Sequence, residues 1–203
     1  MGEKLSFNQA DLLKEIGTIG AACAATALAD MIGGRVDITV PQVNLIPLEN
    51  LHSLMGTTEK PFFVLDMEIK GDISGRIFLL FSPEDAAFLG GTLLGKPKEQ
   101  IEYTDEMFQS SLKESANILG GSYVSALAEM TNMTILTSVP SLAMDMVGAI
   151  LDFIFIQIAQ YSEEALFIRT DLKVKGLNLE GLFLFFPSTE SLRKIFEILN
   201  LKG

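Results

Sequence analysis

The chain has 203 residues, 48% of them hydrophobic, and its 15 basic and 26 acidic side chains give a net charge of −11. That composition builds an ordinary core and excludes a disordered chain. The acidic balance, with no Lys/Arg-rich run, excludes a protein that gathers nucleic acid or anionic lipid by charge.

One cysteine, Cys23, and one histidine, His52, allow neither an internal disulfide nor a Cys/His zinc site, which fits the cytoplasm. The N-terminus lacks the apolar core of a signal peptide. The most apolar stretch, residues 144–159, carries Asp145 and Asp152 and is shorter than the roughly 20 residues of a membrane helix, so no membrane insertion is expected.

In chain order, Asn8 reads as an N-cap, and Leu12, Leu13, Ile16, Ile19, Cys23 and Ala27 recur at helical spacing up to Gly33-Gly34. Residues 36–40 alternate with period two and stop at Pro41, a short strand. Residues 48–55 read as a short helix. Residues 62–69 and 74–81 are β-rich and separated by Lys70-Gly71-Asp72, a hairpin signal. Ser82 then caps a helix with Pro83 at its first position.

From Thr104 the order repeats: a helix over 104–130, a β-rich segment ending at Pro140, an apolar helix over 142–151, strands near 153–160, 165–175 and 181–186, and a helix over 190–201 capped by Ser188. At an offset of 99, residues 11–43 and 110–142 share ten identities in thirty-three positions. At an offset of 106, residues 74–80 resemble 180–186, so the second copy has gained about seven residues near 145–164. With only a short polar connection at 96–103, the expectation is an α+β fold. It is a single pseudo-two-fold domain over 1–203, made of repeats at about 8–97 and 104–203, with the long repeated helices packed on a mostly antiparallel β-sheet.

Asp11, Glu15 and Thr18 fall at i, i+4 and i+7 on the first helix, and Ser110, Glu114 and Asn117 take the same places on the second. Each set lies on one face, directed to solvent or a partner while Leu13, Ile16 and Ile19 turn inward. Ala22 and Gly121 come next on the stripe. Glycine inside a helix costs roughly 1 kcal/mol against alanine, so Gly17, Gly20, Gly120 and Gly121 call for close packing or close docking. Pro41 follows Thr18, and Pro140 follows Asn117, at the same spacing of 23.

This doubled pattern, together with Leu-Lys-Glu-Ile-Gly-Thr-Ile-Gly-Ala at 13–21, resembles the CheC/CheX/FliY family of chemotaxis phosphatases, and two copies without a further domain make it most similar to the CheC type. Ser110, Glu114, Asn117 and Pro140 match the pattern fully. Asp11, Glu15, Thr18 and Pro41 match it except that Thr18 stands in place of Asn. The resemblance implies a phosphatase acting on the aspartyl phosphate of a phosphorylated CheY-type response regulator, with no cofactor of its own and Mg²⁺ carried by the regulator. Asn117 would orient the attacking water and Glu114 would anchor a lysine of the regulator. Ser110 would support them and Pro140 would shape the turn. The hydroxyl of Thr18 is shorter than an amide, so the first site is expected to be weak or inactive, with Glu15 still able to bind. Asp145 stands where the family contacts CheD, which implies CheD as a further partner; the same segment also reads as a core helix with one aspartate facing water. The alternative function is a non-catalytic adaptor for CheD or phosphorylated CheY, or a FliY-like switch component. Cys23 is expected in buried packing and His52 on the surface.

Overall fold

The computed structural model describes residues 7–50, 59–159, 164–174 and 177–199. The elements are α1 (Phe7–Ile32), β1 (Val36–Pro47), β2 (Pro61–Gly71), β3 (Gly75–Phe81), α2 (Pro83–Leu94), α3 (Glu106–Thr131), β4 (Ile135–Thr137), β5 (Ser141–Met146), α4 (Val147–Ile158), β6 (Glu164–Val174), β7 (Leu177–Pro187) and α5 (Thr189–Ile198). Short 3-10 turns lie at Leu48–Asn50 and Lys98–Gln100.

The strands form one antiparallel sheet in the order β1-β6-β7-β3-β2-β4, with β5 continuing along β2. The two sequence repeats therefore interleave in the sheet: the hairpins β2–β3 and β6–β7 meet at the centre, β6 lies on β1, and β4 and β5 lie on β2. At the centre, Phe78 of β3 faces Leu184 of β7. These two residues are equivalents at the offset of 106, so a local two-fold axis passes between them and relates β1 to β4–β5 and β2 to β6.

Burial on both sides explains the nearly unbroken apolar runs of β3 and β7. Ile77, Leu79, Phe81, Phe183 and Phe185 face a core shared with α1 and α3. Phe78, Leu80, Leu184 and Phe186 face a second core closed by α4, whose Val147, Ile150, Leu151, Ile154 and Ile158 recur at helical spacing. The result is three layers, with α1 and α3 on one face of the sheet and α4 on the other. A Cβ on Gly20 would stand 2.7 Å from Tyr123 Cα, so α1 and α3 meet backbone to backbone there. Asp11–Ile32 has the length and hydropathy of a membrane span, and its Leu13, Ile16, Ala24 and Leu28 are packed in the first core.

Several local expectations are corrected. Residues 142–151 do not form a helix throughout. Residues 141–146 pair with β2 as a strand, and the helix runs from Val147 to Ile158, through the region where a strand was expected near 153–160. Pro41 does not end β1. The strand continues to Pro47 with a register shift between Thr39 and Gln42, which an edge strand tolerates because a missing N–H there costs no ladder bond. The first helix already includes Phe7, so Asn8 lies inside it rather than capping it. Ile19 is 38% exposed rather than inward, and Cys23 is exposed. Ser82 and Ser188 cap α2 and α5 as the sequence predicts, each accepting from the backbone N–H three residues on. His52 and the remainder of the helix expected over 48–55 lie outside the described residues.

Candidate functional site

α3 starts at an Asp105 cap, whose carboxylate accepts the Met107 N–H at 2.8 Å. That backbone bond, with Lys96 nearby, holds the Asp105 carboxyl below the usual carboxylate range. From there Phe108, Leu112, Ala116, Leu119, Tyr123 and Leu127 turn into the first core, which fixes the opposite side of the helix toward solvent. Ser111 and Ser115 point inward, where their hydroxyls donate to the carbonyls of Phe108 (2.7 Å) and Ser111 (2.9 Å).

On the outer side lie Ser110 and Glu114, both exposed, then Asn117, half-buried, then Gly121. Neither Glu114 nor Asn117 has a hydrogen-bond or ion-pair partner among the described residues. A Cβ built on Gly121 would meet nothing within 4 Å, in contrast to Gly20 against Tyr123 and Gly120 against the Met67 thioether. Packing inside the chain thus accounts for Gly20 and Gly120 and leaves Gly121 unexplained.

Pro140 is held beside this surface by the register of β2. Asp66 faces Ser141 and Ile69 faces Thr137. Between them the Ser138 N–H donates to the Glu68 carbonyl at 2.8 Å, and the Glu68 N–H donates to the Ser138 hydroxyl at 2.9 Å. With Ser138 held on Glu68, residues 139 and 140 together span the single position of Met67, whose thioether covers Gly120, which puts this buried proline on the strand segment that faces the turn after Asn117.

The first stripe is arranged alike on α1, with Asp11, Glu15 and Thr18 all exposed. The backbone at Pro41 reaches the Thr18 turn through the neighbouring Val40, whose Cγ1 lies 3.3 Å from a Cβ built on Gly17. One chemical difference stands out: the Thr18 hydroxyl donates to the Lys14 carbonyl at 2.8 Å. Its proton is engaged within its own helix, whereas the Asn117 amide has no partner among the described residues.

Asp145 is elsewhere. It is exposed on β5, its Oδ1 accepts the Met146 N–H at 2.7 Å, and it borders a cavity of about 230 Å³ shared with Asp66, Ser141 and Phe153 of α4. The Asp66 carboxylate is already paired with Arg76. This cavity is on the α4 side of the sheet, away from α3, so Asp145 and Asn117 are not parts of one site. Among the described residues no group of three or more His, Cys, Asp or Glu side chains converges on a point.

Residues 9–45 and 107–144, the segments that carry the two stripes and their prolines, match a family model described as the CheC-like family. The CheY-P phosphatase CheC of Bacillus subtilis (strain 168) is 31% identical over 196 residues, 95% of this chain and 94% of that protein. The flagellar motor switch phosphatase FliY of the same organism is 26% identical over 139 residues, 68% of this chain and 36% of that longer protein. Among solved structures, the X-ray crystal structure of Thermotoga maritima FliY matches with a TM-score of 0.79 at 24% identity, covering 98% of this chain and 99% of that one, a likeness of fold.

Proposed function

The chain belongs to the CheC-like family of chemotaxis phosphatases, and we propose that it hydrolyses the aspartyl phosphate of a CheY-type response regulator at the Glu114–Asn117 surface of α3. The observation that carries this is the contrast between the two stripes. Among the described residues Glu114 and Asn117 have no partner beside the open space at Gly121, whereas the Thr18 hydroxyl donates to the Lys14 carbonyl.

The chemistry asks little of the helper. An acyl phosphate is already activated, so placing a water in line with the scissile bond is the main task. Asn117 holds that water through its amide. The water oxygen bonds to phosphorus as the bond from phosphorus to the regulator's carboxylate oxygen breaks, giving inorganic phosphate and the free carboxylate, with the water proton passing to phosphate or solvent. Mg²⁺ belongs to the regulator. Glu114 accepts from a lysine of the regulator and anchors it. A carboxylate directly on the phosphoryl group would repel it, which disfavours Glu114 as general base. Ser110 supports the contact and Pro140 fixes the adjoining turn.

At the first site Asp11, Glu15 and Pro41 retain the frame for binding, while Thr18 makes catalysis weak or absent. A loss on the order of 10²–10³ in rate is the scale of a missing transition-state hydrogen bond. Such a protein acts in the cytoplasm, with its regulator. The test is the decay of a phosphorylated CheY-type regulator in Mg²⁺ with and without this protein: acceleration is expected, and binding without acceleration would contradict the proposal.

A second role, contact with CheD, is favoured by the exposed β5 edge, where Met144 and Met146 flank Asp145. Asp145→Lys would abolish that contact and leave phosphatase activity intact. Loss of chemotactic output in Asp145→Lys but not in Asn117→Ala would favour the adaptor or switch reading over catalysis.

A further inference from the structure

The two repeats carry the same dipeptide, Val40-Pro41 and Val139-Pro140, and dispose of the valine in opposite ways. Val40 is 7% exposed and packs on Gly17 and into the cavity under Tyr123. Val139 is 82% exposed.

Two local features account for the difference. The counterpart of Gly17 in the second repeat is Ala116. A methyl on Gly17 would stand 3.3 Å from Val40 Cγ1, tighter than an ordinary contact, and Ala116 carries that methyl. The strand is also interrupted: the Ser138 hydroxyl takes the Glu68 N–H that a strand carbonyl takes in an unbroken ladder, so residues 138–140 leave the sheet. Val139 is thereby presented at the surface, next to the buried Pro140. At the far end of the same stripe, one turn before Ser110, Met107 is also exposed, and its counterpart in the first repeat is Asn8. The second repeat thus exposes two apolar residues, Met107 on the stripe and Val139 before Pro140, where the first has a polar residue and a valine withdrawn into the core.

We propose that Val139 is the apolar contact that seats the phosphorylated receiver protein over Asn117, and that it makes docking productive at the second repeat alone. This rests on the phosphatase function proposed above. The partner chemistry it requires is an apolar side chain at the rim of the regulator's acidic phosphorylation pocket. A valine that passes from mostly exposed to buried on docking has a stake of about five- to tenfold in affinity. Val139 touches neither water nor phosphate, so it is a positioning residue and its effect falls on binding rather than on the chemical step.

The experiment measures KM and kcat for regulator dephosphorylation, together with Kd for the same regulator carrying beryllofluoride and Mg²⁺, in wild type, Val139→Ser and Val139→Ile. The expected result for Val139→Ser is a rise of about five- to tenfold in both KM and Kd, with kcat within about twofold and an unchanged Tm, as befits an exposed position. Val139→Ile should restore both constants. An active wild type with KM and Kd unaltered in Val139→Ser would overturn the docking role and leave the phosphatase function standing, as would a fall in kcat alone. A wild type that neither binds nor accelerates would overturn both.

Discussion

Gly121 separates internal packing from docking. It lies inside a 26-residue helix, one turn past Asn117, where glycine costs about 0.8–1 kcal/mol relative to alanine. A Cβ there meets no atom of the described residues within 4 Å, so nothing among them offsets a gain on substitution. Gly121→Ala should therefore stabilise the protein by about 1 kcal/mol, roughly 2–4 °C in Tm for a chain of this size. Gly20→Ala is the control: its Cβ would stand 2.7 Å from Tyr123 Cα, and the α1–α3 contact would have to open, at about 1–3 kcal/mol. Gly121→Leu keeps most of the helical gain, but its side chain lies back over the preceding turn, onto Asn117. It should raise KM for the phosphorylated regulator at least about tenfold while melting no lower than wild type. Thermal melts read the first effect and regulator dephosphorylation the second. A Gly121→Leu protein with wild-type KM and kcat would refute the claim that this space is kept open for a partner, and a destabilised Gly121→Ala would refute the claim that nothing internal needs it.

Two further changes probe the frame around the sites. Thr18→Asn supplies the missing amide on α1 and, placed in an Asn117→Ala background, should recover measurable acceleration; no recovery would mean that the first site lacks more than the amide. Tyr123 is buried with no partner for its hydroxyl among the described residues, and burial pushes its phenol above the ordinary value, so it stays neutral beside a cavity of about 30 Å³. Tyr123→Phe should hold or raise stability, by up to about 1–3 kcal/mol in chemical denaturation, since it removes an unsatisfied polar group; a loss above about 1 kcal/mol would reveal a bound partner for the hydroxyl.

The long helices, the β2–β3 hairpin and the serine caps were legible in the sequence because each rests on local rules: periodicity, turn chemistry and a side chain within reach of its own helix N-terminus. The segment at 141–158 was not. Its apolar run suits a strand or a buried helix equally, and pairing with β2 decides that 141–146 extend while 147–158 coil. Pro41 misled for a related reason, since only the strand order reveals that β1 is an edge where proline is tolerated. At the site, helical spacing placed Glu114 and Asn117 on one face, and the repeat singled out Thr18 as the departure. The engagement of the Thr18 hydroxyl by Lys14, and the opposite fates of Val40 and Val139, could not be read from side-chain types: identical Val-Pro pairs diverge through a single methyl at Ala116 and a broken ladder at Ser138.

The decisive measurement is single-turnover decay of a phosphorylated CheY-type regulator with saturating wild type, Asn117→Ala and Glu15→Ala. Catalysis at one working site on α3 requires Asn117→Ala to fall to near the spontaneous rate, on the order of 10² below wild type or more, while Glu15→Ala stays close to wild type. Acceleration that survives Asn117→Ala and disappears in Glu15→Ala would move the active centre to α1 and contradict the account.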